Sequence, residues 1–311
     1  MTNNKLTIGT RGSLLALWQT NWVKAELVKH HPQLAIEIKI ISTKGDRILD
    51  ISLPKLGEQG KGLFTKELED AMYTGEIDLA VHSLKDLPTE MPEGLTLGAI
   101  CEREDVRDAF IAAAGIDSFA DLPEGAKVGT SSLRREAQLR AIRPDLQILP
   151  VRGNVDTRLR KLDEGNYDAI ILAAAGLHRL GYTERITQYL EANVMLSAVG
   201  QGALAIECRE DDERVNSLLQ SLNHQLTRLA CAAERSFLQG LGGGCLVPIA
   251  ALCRVEGDAL QLDGLVAKPD GSKIIRGARQ AKVTEAELLG QQLAEELLQR
   301  GADRLLADNK V

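Results

Sequence analysis

The chain has 311 residues, 44% hydrophobic and 26% charged, which is ordinary for a globular protein and long enough for two or three domains. A formal net charge of −7 argues against a general nucleic-acid binder, which needs a basic surface to displace counterions, and 3% aromatics leave little for stacking bases. Residues 1–10 lack the apolar core of a secretory signal, and the longest apolar run, Ala169–Ala175, is far too short for a bilayer. No nucleic-acid or membrane partner is expected. Five cysteines without CxxC pairs, and five histidines without metal spacing, read as reduced thiols of a cytoplasmic, metal-free protein.

In chain order, Lys5–Thr10 alternates like a strand and runs into Ser13, an N-cap for the amphipathic stretch Leu14–His30. Ile36–Ser42 reads as a strand, Thr65–Tyr73 as a helix with Thr65 as its cap, and Leu79–His82 as a short buried strand. The βαβαβ order predicts a mostly parallel sheet covered by helices. The same grammar restarts after about residue 100: strands at Val128–Gly129, Ile148–Val151 and Ala169–Ala173, with helices at Leu133–Ile142 and Val155–Leu162. Ala203–Cys208 reads as a strand that could return the chain to the first sheet. From about residue 223 the pattern changes. A helix over Gln225–Leu238 leads to Gly242-Gly243-Gly244-Cys245, then come three alternating strands near 249–255, 260–266 and 273–279, and a closing helix over Glu285–Gln299. That is an α+β layer with a small antiparallel sheet.

Three strand-to-helix turns carry arginines beside capping residues: Thr10-Arg11-Gly12-Ser13, Gly129-Thr130-Ser131-Ser132-Leu133-Arg134-Arg135, and Val151-Arg152-Gly153-Asn154 with Arg158 beyond. Free N–H groups at a helix start attract anions, and the planar guanidinium fork suits carboxylates. Parallel sheets bind ligands at this edge, so the turns point to a ligand with several carboxylates or phosphates. The bland alternative is a set of capped surface helices with solvated arginines. Val81-His82-Ser83-Leu84-Lys85-Asp86-Leu87-Pro88 ends a strand with a cation and a carboxylate, either a salt-bridged loop or a group that accepts ligand N–H bonds. Gly57-Glu58-Gln59-Gly60-Lys61-Gly62-Leu63-Phe64 lacks the GxxxxGK[ST] pattern and reads as a mobile segment carrying Lys55 and Lys61 over a cleft. Cys245, after three glycines, reads as a thiol on an exposed turn, against the common fate of a small buried residue.

Together these segments resemble the porphobilinogen deaminase (hydroxymethylbilane synthase) family. The match runs from about Leu6 to the end and is densest at Thr10–Trp18, Lys61–Glu69, Val81–Pro88, Gly129–Arg135, Val151–Leu162, Gly200–Ala203 and Gly243–Pro248. The resemblance implies an α/β protein with two periplasmic-binding-protein-like (type II) α/β domains and a C-terminal α+β domain. Their bounds would be 1–101 completed by 203–220, 102–202, and 223–311. It implies a transferase that condenses four porphobilinogens onto a dipyrromethane cofactor held as a thioether at Cys245, then releases the linear tetrapyrrole hydroxymethylbilane.

By the same resemblance Asp86 is the catalytic carboxylate, and Ser83, Lys85, Thr130, Ser132, Arg134 and Arg135 hold the cofactor. Arg11, Ser13, Gln19, Arg152, Arg158, Arg179 and Gln201 bind substrate, and Lys55, Lys61 and Phe64 belong to the flexible loop. Gly12, Ala250 and the inserted Glu58-Gln59 depart from the family pattern. A monomer that passes its product to uroporphyrinogen III synthase is expected. The competing readings are a non-catalytic anion-binding or sensing protein, which leaves the glycine-flanked cysteine unexplained, and a cysteine-dependent hydrolase, which lacks a recognisable base.

Overall fold

In the computed structural model, the described residues are 4–47, 65–242 and 248–307. The first run gives β1 (Lys5–Thr10), α1 (Leu14–His30), β2 (Ala35–Ile40), a single turn α2 (Lys44–Arg47), α3 (Lys66–Tyr73), β3 (Leu79–Ser83) and β4 (Leu95–Ile100). The second gives β5 (Asp108–Ala112), β6 (Lys127–Gly129), α4 (Leu133–Ile142), β7 (Gln147–Leu149), α5 (Val155–Asp163), β8 (Ala169–Ala173), α6 (Ala174–Arg179) and β9 (Gln188–Leu190). The third gives β10 (Leu204–Arg209), α7 (Glu213–Leu219), α8 (Gln225–Gly240), β11 (Ile249–Glu256), β12 (Ala259–Ala267), β13 (Ile274–Lys282), α9 (Ala286–Leu297) and α10 (Asp303–Ala307). The chain divides into two compact units, residues 1–104 with 203–228, and residues 105–202 with 229–311.

In the first unit the sheet order is β2-β1-β3-β10-β4. β1, β2 and β3 are parallel, and β10 enters antiparallel between β3 and β4, so the return of residues 203–208 to this sheet is observed. Helix α1 forms because its apolar positions recur at helical spacing: Ala16, Val23 and Leu27 are buried together with Gln19 and Thr20. Ser13 caps it, its side chain accepting from Ala16 N–H at 3.3 Å. Leu6, Ile8, Val23, Leu27, Val81 and Ile206 close one face of the sheet. Leu68 and Met72 of α3 close the other against Ile77 and Ala80. Each such side chain contributes about 1.5–3 kcal/mol on burial. Thr65 was expected to cap α3, but its side chain makes no cap bond.

The second unit repeats the plan in the order β7-β6-β8-β5-β9, with β5 antiparallel to β8 and β9. A local lock recurs in both sheets. Asp78 N–H donates to Thr7 O at 2.9 Å while its carboxylate takes Thr7 N–H at 2.7 Å, and Asp168 does the same with Lys127 at 2.9 and 2.7 Å. Gly129 lets the strands approach: a Cβ there would stand 2.9 Å from Ile170 Cγ2 and 3.0 Å from Tyr167.

β11, β12 and β13 form the antiparallel sheet expected near the C-terminus. β11 alternates strictly between two cores. Ile249, Ala251 and Cys253 face Phe237 of α8 and Leu289 and Leu293 of α9, while Ala250 and Leu252 face Ala137 of α4 and Leu196. Burial on both faces explains why residues 229–311 group with 105–202. The α/β class is the one expected: two five-stranded mixed sheets flanked by helices, and a three-stranded antiparallel sheet with helices near the C-terminus. β4, β5 and β9 were not legible in the sequence.

Candidate active site

In the first unit, β1 and β3 are parallel neighbours, so their C-terminal ends share one edge. Arg11 and Ser13 follow β1, Ser83 is the last residue of β3, and Lys85 and Asp86 follow it. Gln19, buried on α1, donates from Nε2 to Ser83 Oγ at 3.0 Å and ties the two ends together. Leu84–Asp86 forms one turn of 3-10 helix, closed by Leu87 N–H on Leu84 O at 3.1 Å. That turn buries Leu84, half-buries Lys85 and leaves Asp86 exposed, so the carboxylate faces solvent on a short, fixed support. Behind it His82 Nε2 lies 3.0 Å from Glu207 Oε2, both buried, although the approach is too poorly aimed for a hydrogen bond. Burial also raises the pKa of Glu69 on α3, and the nearby Glu207 charge adds to the effect.

In the second unit the parallel strands β6, β7 and β8 likewise end on one edge. Ser132 caps α4, accepting from Arg135 N–H at 3.4 Å, and Ser131 Oγ donates to Val151 O at 2.9 Å. Thr130 is buried and its hydroxyl accepts from Ser132 N–H at 3.2 Å. Arg152 follows β7, half-buried, and Arg158 on α5 donates from Nε to Gly153 O at 2.8 Å. Arg179, buried at the end of α6, donates to Gly202 O at 2.7 Å. Asn154 precedes α5 but makes no side-chain cap bond.

Arg134 and Arg135 are neither solvated nor free. Both converge on Asp108, the first residue of β5, which lies at this edge because β5 runs antiparallel to β8. Arg134 Nη1 lies 2.7 Å from Asp108 Oδ2 and 2.7 Å from Leu196 O. Arg135 reaches Asp108 Oδ1 at 3.1 Å through Nε and 2.7 Å through Nη2, and Ile171 O at 2.9 Å. Gln201 completes the cluster, donating from Nε2 to Asp108 Oδ1 at 3.0 Å and Val106 O at 2.8 Å. Burial alone would raise the Asp108 pKa, but the two guanidinium groups outweigh it and hold the carboxyl well below its usual range. One carboxylate against two guanidiniums leaves a positive charge in surplus, and Arg134 Nε has no hydrogen-bond partner.

Asp108 was not found from the sequence. It ends the charged run Glu102-Arg103-Glu104-Asp105-Val106-Arg107-Asp108, in which no spacing or motif sets it apart from the other acids. Cys245, Lys55, Lys61 and Phe64 lie outside the described residues. The four described cysteines, Cys101, Cys208, Cys231 and Cys253, are buried thiols, and burial pushes Cys208 up to about 11.

A sheet edge lined with hydroxyls, capped helix starts and cations occurs once in each unit of this α/β protein, an arrangement whose chemistry suits an anionic group. The family model described as porphobilinogen deaminase, dipyromethane cofactor binding domain, matches residues 6–217, and that of the porphobilinogen deaminase C-terminal domain matches residues 228–299. The porphobilinogen deaminase of Geobacter metallireducens is 54% identical over 308 residues, covering 99% of this chain and 96% of that protein. That of Syntrophotalea carbinolica is 54% identical over 307 residues with the same coverage. The chain belongs to the porphobilinogen deaminase family. Among solved structures, the methionine binding protein MetQ covers 70% of this chain and 90% of its own at 12% identity and a TM-score of 0.46. A nutrient binding protein from Burkholderia cenocepacia bound to methionine covers 70% and 91% at 13% identity and a TM-score of 0.44.

Proposed function

We propose that the chain is a porphobilinogen deaminase, a transferase of tetrapyrrole biosynthesis that joins four porphobilinogens head to tail, releases one ammonia at each joining, and frees the linear tetrapyrrole by hydrolysis. The observation that carries this reading is the match of both family models, together spanning nearly the whole chain. The dipyrromethane cofactor of this family, when bound, supplies the pyrrole carbon at which the chain grows.

The residues present fit such a group. Dipyrromethane bears several carboxylates, and the second unit offers surplus positive charge, an orphaned buried donor on Arg134 and the hydroxyls of Thr130 and Ser132. Cys245 is the proposed anchor, with Ser83, Lys85, Thr130, Ser132, Arg134 and Arg135 holding the cofactor's side chains. Asp86 accepts hydrogen bonds from pyrrole N–H groups and stabilises the positive charge that develops as ammonia leaves. Arg11, Ser13, Gln19, Arg152, Arg158, Arg179 and Gln201 neutralise the acetates and propionates of substrate and growing chain, which repel one another strongly when crowded. Gln19 and Gln201 act partly through other side chains, since Gln19 orients Ser83 and Gln201 holds Asp108.

Intact mass tests the reading. The purified chain should carry a covalent adduct of two pyrrole units, absent in Cys245→Ala, and should turn porphobilinogen into ammonia and a linear tetrapyrrole. A bare chain, or a fully active Cys245→Ala protein, would refute it. No described helix is long and apolar enough to cross a membrane. A cytoplasmic monomer that hands its product to uroporphyrinogen III synthase completes the proposal, and gel filtration checks the monomer.

A further inference from the structure

Leu196 lies between β9 and β10, outside any strand, and is fully buried. Its N–H and C=O therefore need partners that no neighbouring strand supplies. One side chain provides both. Gln138, buried on α4, accepts from Leu196 N–H through Oε1 at 2.8 Å and donates from Nε2 to Leu196 O at 3.1 Å. The amide has one sense only, because Leu196 N–H requires an oxygen opposite it.

The clamp meets Arg134 at both of its ends. Gln138 stands four residues after Arg134 on the same helix face, and its Nε2 also donates to Arg134 O at 3.2 Å. The Leu196 carbonyl that it holds is shared with Arg134 Nη1 at 2.7 Å. That sharing decides how the guanidinium is spent. Arg135 gives Asp108 both Nε and Nη2, at 3.1 and 2.7 Å. Arg134 reaches Asp108 through Nη1 at 2.7 Å, the nitrogen that is also drawn to Leu196 O, and its buried Nε is left without a hydrogen-bond partner. The far end of the Leu196 segment is anchored by other groups. Ala251 N–H donates to Ser197 O at 3.2 Å, and Glu234 of α8 takes Gly200 N–H at 2.7 Å and Cys253 N–H at 2.8 Å.

We propose that Gln138 is a positioning residue for the reaction: by fixing the Leu196 carbonyl it holds the Arg134 guanidinium with Nε unspent, as a donor for a carboxylate of the bound cofactor. The inference rests on the function proposed above. Without the clamp the guanidinium can turn its Nε edge onto Asp108, as Arg135 does, and that donor is lost to the ligand. Gln138 needs no contact with cofactor or substrate, since it acts through Arg134.

The test uses the full-length chain as purified, with two variants. Gln138→Met keeps the length and the helix preference without the amide, and Gln138→Glu keeps the acceptor but sets an oxygen against Leu196 O. Leu146→Ala is the control for lost stability: Leu146 is buried in the same unit just before β7, at the sheet edge opposite the arginines. Both Gln138 variants should lower kcat per folded chain about tenfold, through lost adduct or slower turnover. KM for porphobilinogen should stay within about twofold, because Arg134 is assigned to the primer and other side chains to the incoming substrate. Leu146→Ala should lower the melting temperature and leave kcat within about twofold. An unchanged kcat in either Gln138 variant would overturn the proposal. So would a KM that rises as far as kcat falls, an equal loss of kcat in Leu146→Ala, or failure of both Gln138 variants to fold. An unaltered chain with neither adduct nor turnover would instead overturn the function on which the inference rests.

Discussion

Asp108 shows how far a single residue's role escapes a linear reading. The residues before it, 102–107, are mostly charged and exposed or half-exposed, yet it is fully buried between two guanidinium groups. Because its folded pKa lies below the unfolded value of about 3.9, the folded state binds fewer protons in that range. Its contribution to stability is therefore complete above the unfolded value and lost as pH falls toward the folded one. Asp108→Asn should flatten that acid limb and destabilise the protein by about 3–5 kcal/mol near neutral pH, as urea denaturation at several pH values would reveal. An unchanged acid limb would mean that other carboxylates dominate it. Asp86 is the opposite case: exposed, on a turn whose backbone bonds do not use its side chain. Asp86→Ala should leave the melting temperature within a few degrees and lower turnover by about 10²–10³-fold. Near-normal porphobilinogen consumption would remove it from the chemistry. The sequence singled out Asp86 through its motif, whereas nothing in the sequence distinguished Asp108 from the acids around it.

At the scale of elements, the legible features were those with a local cause. Ser13 and Ser132 cap helices where expected, because a cap needs only its own first turn. Asn154 and Thr65 have the same chemistry without the bond, their side chains being oriented by surroundings that no local rule describes. Strands β4, β5 and β9 escaped notice because a short strand is defined by its partner, and their partners are distant in sequence. Close helix contact is another non-local matter: a Cβ on Gly290 of α9 would stand 2.6 Å from Phe237 N of α8. The cysteines divide the same way. Cys208 on β10 and Cys253 on β11 are buried by sheet packing, as is Cys231 on α8 by its core. Iodoacetamide at mildly alkaline pH should therefore label one thiol, Cys245, in chain lacking the adduct and none in chain carrying it. Mass spectrometry counts the labels, and labelling of a second cysteine would show that a buried strand or helix opens.

At the scale of the whole molecule, the chain leaves its first unit after residue 104 and returns at 203. β10 then fills the gap between β3 and β4, so the first sheet is incomplete until two thirds of the chain has been made. A chain ending at residue 202 should lack protected amides in β3 and β4 under hydrogen exchange. Full protection there would show that the first unit folds without its return strand. The expected separation of residues 223–311 as a third domain stays a proposal, which unfolding transitions followed on each sheet would test. By itself the sequence determined the alternation of strands and helices, the capped arginine-bearing turns and the family, because periodicity, caps and motifs are properties of neighbours along the chain. Only the tertiary structure decided that Arg134 and Arg135 share Asp108 and that Glu234 joins three segments. A buried charge is tolerable only where its partners converge, and convergence across 26 to 34 residues is set by packing.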